Sequence, residues 1–177
     1  MEYKVLLVLI FSIGGFLYFQ SAHAQFLKTA ACANPDFDKK VDSYLSYSVP
    51  VISVKEVFAN QGLYTFLDAR EKEEFQISHI KGAKNIGYDY MDMNVVKSLP
   101  KNQPIVVYCS IGYRSEKIAA RLRKEGFINV FNLYGSIFEW VNAGYPIYKG
   151  DIPVKKLHTF NKKWSQWMLN QQIEKIY

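Results

Sequence analysis

Four consecutive apolar residues, Ile105-Val106-Val107-Tyr108, run directly into Cys109, a short loop and an amphipathic helical pattern. A strand that is apolar on both faces belongs inside a parallel sheet covered by helices. Parallel neighbours are joined by crossovers, most often helical ones. The flanking sequence supplies both kinds of element. Strand-like runs lie at Val49–Ile52, Tyr64–Asp68, Ala83–Ile86 and Val130–Leu133, rich in β-branched and aromatic residues and separated by turn formers. Pro50 suits the first residues of an edge strand. Between the strands, Ser53-Val54-Lys55-Glu56 matches a capping box that opens a helix to about Asn60. Further helices are expected at Phe37–Leu45, Glu71–Gln76, Tyr90–Lys97, Ser115–Glu125 (ended by Gly126) and Ile137–Asn142. Alternating strands and helices imply an α/β fold, a parallel sheet with helices on both faces. Ligands bind such sheets beyond the carboxyl ends of the strands. Asp68 and Cys109 both stand there.

Cys109-Ser110-Ile111-Gly112-Tyr113-Arg114-Ser115 is the stretch with the clearest chemistry. Unpaired N–H groups at a helix start carry partial positive charge and hold anions. A thiolate placed there has a depressed pKa and is populated at neutral pH. Gly112 permits a tight turn, Arg114 offers a cationic fork, and Ser115 suits a helix N-cap. The bland alternative is a cysteine that merely fills the core.

The chain opens with an apolar run, Val5 to Phe19, after Lys4 and before Ser21-Ala22-His23-Ala24. That layout reads as a signal peptide over residues 1–24, cleaved after Ala24, and implies export to the periplasm. An uncleaved membrane anchor is one alternative. A second is lipidation of Cys32, because Thr29-Ala30-Ala31-Cys32 loosely resembles a lipoprotein processing site. In an oxidising compartment thiols tend to pair, so Cys32, the second of the two cysteines, is also a candidate resolving thiol for Cys109. The net charge of +6 comes from scattered rather than clustered basic residues. No nucleic-acid motif accompanies it, and no nucleic-acid partner is expected. Residues 25–45 read as a leader with a short helix, 46–150 as the main domain, and 151–177 as a tail. Leu157, Phe160, Trp164 and Met168 recur in the tail at helical spacing, which predicts a C-terminal amphipathic helix packed on the domain. His158 and His79 are expected to be structural, and no metal site is expected.

From about Val51 to Tyr148 the chain resembles a single-domain rhodanese, the sulfurtransferase module, of the exported bacterial type. Leu67-Asp68-Ala69-Arg70 with Glu74-Phe75, His79-Ile80-Lys81-Gly82-Ala83-Lys84-Asn85-Ile86, and Val107-Tyr108-Cys109 with the loop to Ser115 are similar to three family segments in order and spacing. Ser78 stands where that family usually has Gly. Gly135-Ser136 stands where it usually has Gly-Gly, far from the cysteine in sequence and not expected to remove activity.

The resemblance implies a five-stranded parallel sheet flanked by helices, a rhodanese-like fold. It implies that Cys109 takes a sulfane sulfur from a small anionic donor such as thiosulfate, forms a persulfide, and passes the sulfur to a thiol or cyanide-like acceptor. No cofactor is needed. Ser110, Ile111, Gly112, Tyr113, Arg114 and Ser115 would form the active-site loop, with Asp68 and Arg70 bracing the rim. The alternatives are an exported thiol-redox protein, a persulfide carrier or binding module, and a phosphatase or arsenate reductase of the same fold. The last group uses five residues between Cys and Arg, and this chain has four.

Overall fold

A computed structural model describes residues 26–177; the signal-like segment lies outside them. Ile105, Val106, Val107 and Tyr108 form β4 (Ile105–Tyr108), buried along its whole length. Its neighbours are β2 (Thr65–Asp68) and β5 (Val130–Leu133), with β1 (Val51–Ile52) and β3 (Lys84–Asn85) at the two edges. The sheet has five strands in the order β1-β5-β4-β2-β3, and every pairing is parallel. The fold is therefore α/β, with the five-stranded parallel sheet that the resemblance implies.

Side-chain alternation along the strands divides the core in two. Phe66, Val106 and Tyr108 point to one face, where they pack with Phe37, Val41, Phe138 and Trp140. These come from α1 (Pro35–Asp42) and α5 (Ser136–Asn142), and Val54 and Val57 of α2 (Val54–Ala59) join the same cluster. Leu67, Ile105 and Val107 point to the other face, against Ile118, Ala119 and Leu122 of α4 (Tyr113–Lys124). Asn34 caps α1 and Ser53 caps α2 through their side chains. A short α3 (Lys72–Ile77) follows β2.

Three local expectations are corrected. The expected helix at Tyr90–Lys97 is only a 3-10 turn, Met93–Val96, opened by an Asp92 side chain that accepts from Asn94 N–H. Helix α4 begins at Tyr113 rather than Ser115, and its N-cap is Gly112 with φ of 118°. Ser115 is thus free to face the site instead of capping the helix.

The third correction is the tail. It contains no amphipathic helix. After Gly150 turns the chain (φ 61°), β6 (Ile147–Lys149) and β7 (Ile152–Val154) form an antiparallel hairpin. Then β8 (Lys156–His158) pairs in parallel with β9 (Glu174–Ile176), with a 3-10 turn at Trp164–Trp167 between them. Asn and Ser side chains in the tail offer the backbone other partners. Asn161 accepts from Trp164 N–H, and Asn142 of α5 accepts from Leu169 N–H at 2.6 Å. Leu157 and Met168, half of the apparent helical stripe, are fully buried in the main core from separate elements. Among the described residues no helix is long and apolar enough to cross a membrane.

Candidate active site

Cys109 follows the last residue of β4, and its backbone is tied down from α5. Its N–H donates to Ser136 Oγ at 3.0 Å, and Ser136 donates in turn to Leu133 O at 3.1 Å. The amides of Ile137 and Phe138, at the start of α5, donate to the carbonyls of Cys109 and Ser110, each at 3.2 Å. The loop is thereby fixed before it reaches α4.

The sulfur itself faces the start of α4. Gly112 N–H donates to Cys109 Sγ at 3.2 Å, and Ser115 Oγ lies 3.5 Å away. Ser115 also donates to Asn132 Oδ1 at 2.7 Å, while Asn132 Nδ2 donates to Gly112 O at 3.0 Å. One β5 side chain therefore orients both groups that meet the sulfur. The left-handed φ of Gly112 suits only glycine comfortably. Burial alone would raise the Cys109 pKa; the Arg114 charge and hydrogen bonds from Ser115 and Gly112 outweigh it, and the thiol falls below its ordinary value.

Although Cys109 is only 1% exposed, it lines the floor of an open pocket of about 350 Å³ together with Ser110 and Ile111. Tyr113, Arg114, Glu71, Tyr88, Asp89, Tyr44, Phe160 and Trp164 also line this pocket, and Tyr44 meets both Tyr113 and Trp164 edge-on.

The expected site residues separate into three groups. Cys109, Ser110, Ile111, Tyr113 and Arg114 line the pocket. Gly112 and Ser115 contact the sulfur. Asp68 and Arg70 do not line the pocket; both are fully buried as an ion pair at 2.6 Å. Arg70 also donates to Ser78 O at 2.6 Å, tying β2 to the end of α3. His79 stacks on Phe75, with Nδ1 3.0 Å from Phe75 O. His158 accepts from Phe160 N–H.

Arg114 forms a salt bridge near the start of α4. It donates to both oxygens of Glu74, at 2.6 and 2.9 Å, and to Ser110 Oγ at 3.1 Å. Burial opposes ionisation of Glu74, and its bonds to Arg114 prevail, holding its carboxyl below the usual range. Sequence reasoning gave Glu74 no role, although it had placed the residue in a family segment. It also missed Asn132, which the register Val107↔Asn132 brings beside the loop, and it judged Ser136 remote from the cysteine. Tyr44, Phe160 and Trp164 carried no signal for this site.

Comparison with known proteins agrees with this geometry. A tRNA uridine(34) hydroxylase of Aster yellows witches'-broom phytoplasma (strain AYWB) is 34% identical over 102 residues, which cover 55% of this chain and 32% of that protein. The Arabidopsis thaliana protein HIGH ARSENIC CONTENT 1, mitochondrial, is 29% identical over 62% of this chain and 72% of its own length. This chain thus spans about a third of the phytoplasma relative it matches. The rhodanese-like domain of an Anabaena sp. protein aligns with a TM-score of 0.53 at 25% identity, over 59% of this chain and 81% of that one. A Bacillus halodurans protein aligns at 0.57 and 22% identity, over 75% and 98%. The family model for the rhodanese-like domain matches residues 53–143, from the cap of α2 to the end of α5. With its sheet order, its Cys109 loop and that match in agreement, this chain belongs to the rhodanese-like domain family.

Proposed function

We propose that the protein transfers a sulfane sulfur through a persulfide on Cys109. The observation that carries this reading is the Cys109 sulfur at the floor of a pocket, with Gly112 N–H 3.2 Å away and its thiol biased toward thiolate. The thiolate attacks the outer sulfur of a donor. A bond forms from Sγ to that sulfur, the donor's own S–S bond breaks, and the electron pair departs with the donor remainder (sulfite, if the donor is thiosulfate). The terminal persulfide sulfur keeps the negative charge. Fixed donors at the helix start stabilise that anion without reorganising. An acceptor thiolate or cyanide then attacks the terminal sulfur, and Cys109 leaves as a thiolate again. Each half-reaction conserves charge and needs no metal or cofactor.

Two features favour this reading over oxyanion chemistry by a phosphatase or arsenate reductase. The Cys109-to-Arg114 spacing leaves a cradle one residue shorter than those enzymes use. Arg114 is held by Glu74 rather than offered to a phosphate. A redox pairing of the two cysteines is disfavoured because both are free and have separate neighbours. Export to the periplasm is proposed from the signal-like residues 1–24. An uncleaved anchor remains the alternative there; lipidation of Cys32 would require extracting a thiol that is buried in this fold.

Mass spectrometry of the reduced protein after exposure to a sulfane donor tests the reading. Cys109 should gain about 32 Da, the mass of one sulfur. A loss of about 2 Da, marking a Cys32–Cys109 disulfide, or no change with any donor, would reject it.

A further inference from the structure

We infer that the segments flanking the family domain set the substrate class of this site, selecting an organic sulfane-sulfur donor with an apolar body over a small inorganic dianion. The inference deepens the sulfur-transfer reading and rests on it.

The charged groups that line the pocket are Glu71, Asp89 and Arg114. Two are carboxylates, which repel a dianion. Arg114 is committed to Glu74 and Ser110, and the Phe160 ring covers its guanidinium with 5.4 Å between the guanidinium carbon and the ring centre. Nothing else lining the pocket offers a cation for thiosulfate. Its volume, about 350 Å³, is that of a site for an organic ligand, and such sites are mostly apolar with a few polar groups. Here the polar end is the Cys109 loop.

The apolar end is an aromatic wall. Tyr44 meets Tyr113 edge-on at 6.2 Å and Trp164 at 5.3 Å, and Lys40 lies over the rings of Tyr44 and Trp164. These contacts fix the rings in place. Phe160 is 51% exposed and has a φ of 67°, a left-handed conformation that a bulky residue adopts only under constraint. His158 Nδ1 accepts its amide at 3.2 Å. An exposed aromatic ring held in that backbone state, lining the same pocket as the nucleophile, is explained if the ring contacts substrate. Tyr44, Phe160 and Trp164 all lie outside residues 53–143, so this wall is an addition to the family domain.

Three donors that react alike but differ in body test the inference: thiosulfate, methanethiosulfonate and benzenethiosulfonate. In each, Cys109 bonds the sulfane sulfur, the donor S–S bond breaks, and the electron pair leaves on sulfite or a sulfinate. Purified protein should prefer the phenyl donor to the methyl donor in kcat/KM by at least about tenfold beyond the ratio seen with a free small thiol. Thiosulfate should be the poorest of the three. The phenyl preference should shrink in Phe160→Ala and Trp164→Ala, mainly through KM. Competitive inhibition of the unaltered protein should be stronger with benzenesulfinate than with methanesulfinate, a measurement that needs no variant. Equal inhibition by the two sulfinates, or a phenyl preference no greater than the free thiol's, overturns the inference. Transfer without discrimination defeats this inference alone, whereas no sulfur gain from any donor defeats the sulfur-transfer reading with it.

Discussion

Cys109 and Cys32 are both buried and both free, yet their surroundings drive them in opposite directions. For each, burial raises the pKa. At Cys109 the charge of Arg114 and the donors at Ser115 and Gly112 reverse that effect. At Cys32 the charges of Glu139 and Asp38 add to it, and the thiol is held firmly protonated. The adjoining glutamates diverge in the same way. Glu74 is paired with Arg114 and stays ionised. Burial raises the pKa of Glu139 beyond the compensation of its hydrogen bonds from Ala33 N–H and the Cys32 thiol. Reactivity here is therefore set by the sign of the neighbouring charge and the aim of nearby N–H groups, and burial does not distinguish the two thiols.

The contrast is broken most severely by removing each sulfur. Cys109→Ser should reduce sulfur transfer by at least about a thousandfold, since the nucleophile is lost, while Cys32→Ser should keep turnover within about twofold of the starting protein. Steady-state assays decide it, and equal losses would erase the distinction. Chemical labelling sharpens the contrast next. At neutral pH iodoacetamide should modify Cys109 at least about tenfold faster than Cys32, because the thiolate is the reacting species, as peptide mapping after short exposures would show.

The pH dependence of that labelling isolates the electrostatic part. Arg114→Met combined with Glu74→Gln removes the cation without stranding its carboxylate, and the midpoint for alkylation of Cys109 should move to higher pH. An unmoved midpoint would assign the bias to the helix start alone. Gly135→Ala probes the turn between the two regions. An added Cβ there would lie 2.6 Å from Glu139 Cβ and 2.7 Å from Cys32 Sγ, at a φ of 68°. Chemical denaturation should show a loss of about 2–4 kcal/mol.

The smallest effects come from the glutamates. Glu74→Gln should cost about 2 kcal/mol at neutral pH by leaving Arg114 partly unpaired. Glu139→Gln should be within about 0.5 kcal/mol of neutral or mildly stabilising. Their pH trends have opposite signs. The folded pKa of Glu74 is depressed, so its contribution is complete above its unfolded value, about 4.3, and disappears as pH falls through the folded value. The folded pKa of Glu139 is raised, so its ionisation costs stability above that value, and the cost is relieved as pH falls through it. Denaturation midpoints of the two variants against pH check both.

The parts of the molecule that were legible in the sequence are those in which neighbours in space are also neighbours along the chain. The β4-loop-α4 unit with Cys109, Gly112 and Arg114 is of this kind, as are the capped helices and the alternating order behind the parallel sheet. Asn132 and Ser136 reach the cysteine through strand register and the start of α5, and neither leaves a local pattern. Glu74 sits forty positions from Arg114. The tail was misread because Leu157 and Met168 are both buried, as a helix would require, but from a strand and from a loop beyond a 3-10 turn. Apolar spacing records burial, and here the burial has two separate origins.

The parallel pairing of β8 with β9 encloses residues 159–173 in a loop held at both ends by strand hydrogen bonds. Phe160 and Trp164 lie within it, apart from every residue that holds the Cys109 sulfur. The loop is anchored by Met168 in the core, while the rings it offers to the pocket are distinct from the Gly112 and Ser115 donors that meet the sulfur. The lining of the pocket and the reactivity of its cysteine are therefore encoded in separate stretches of the chain.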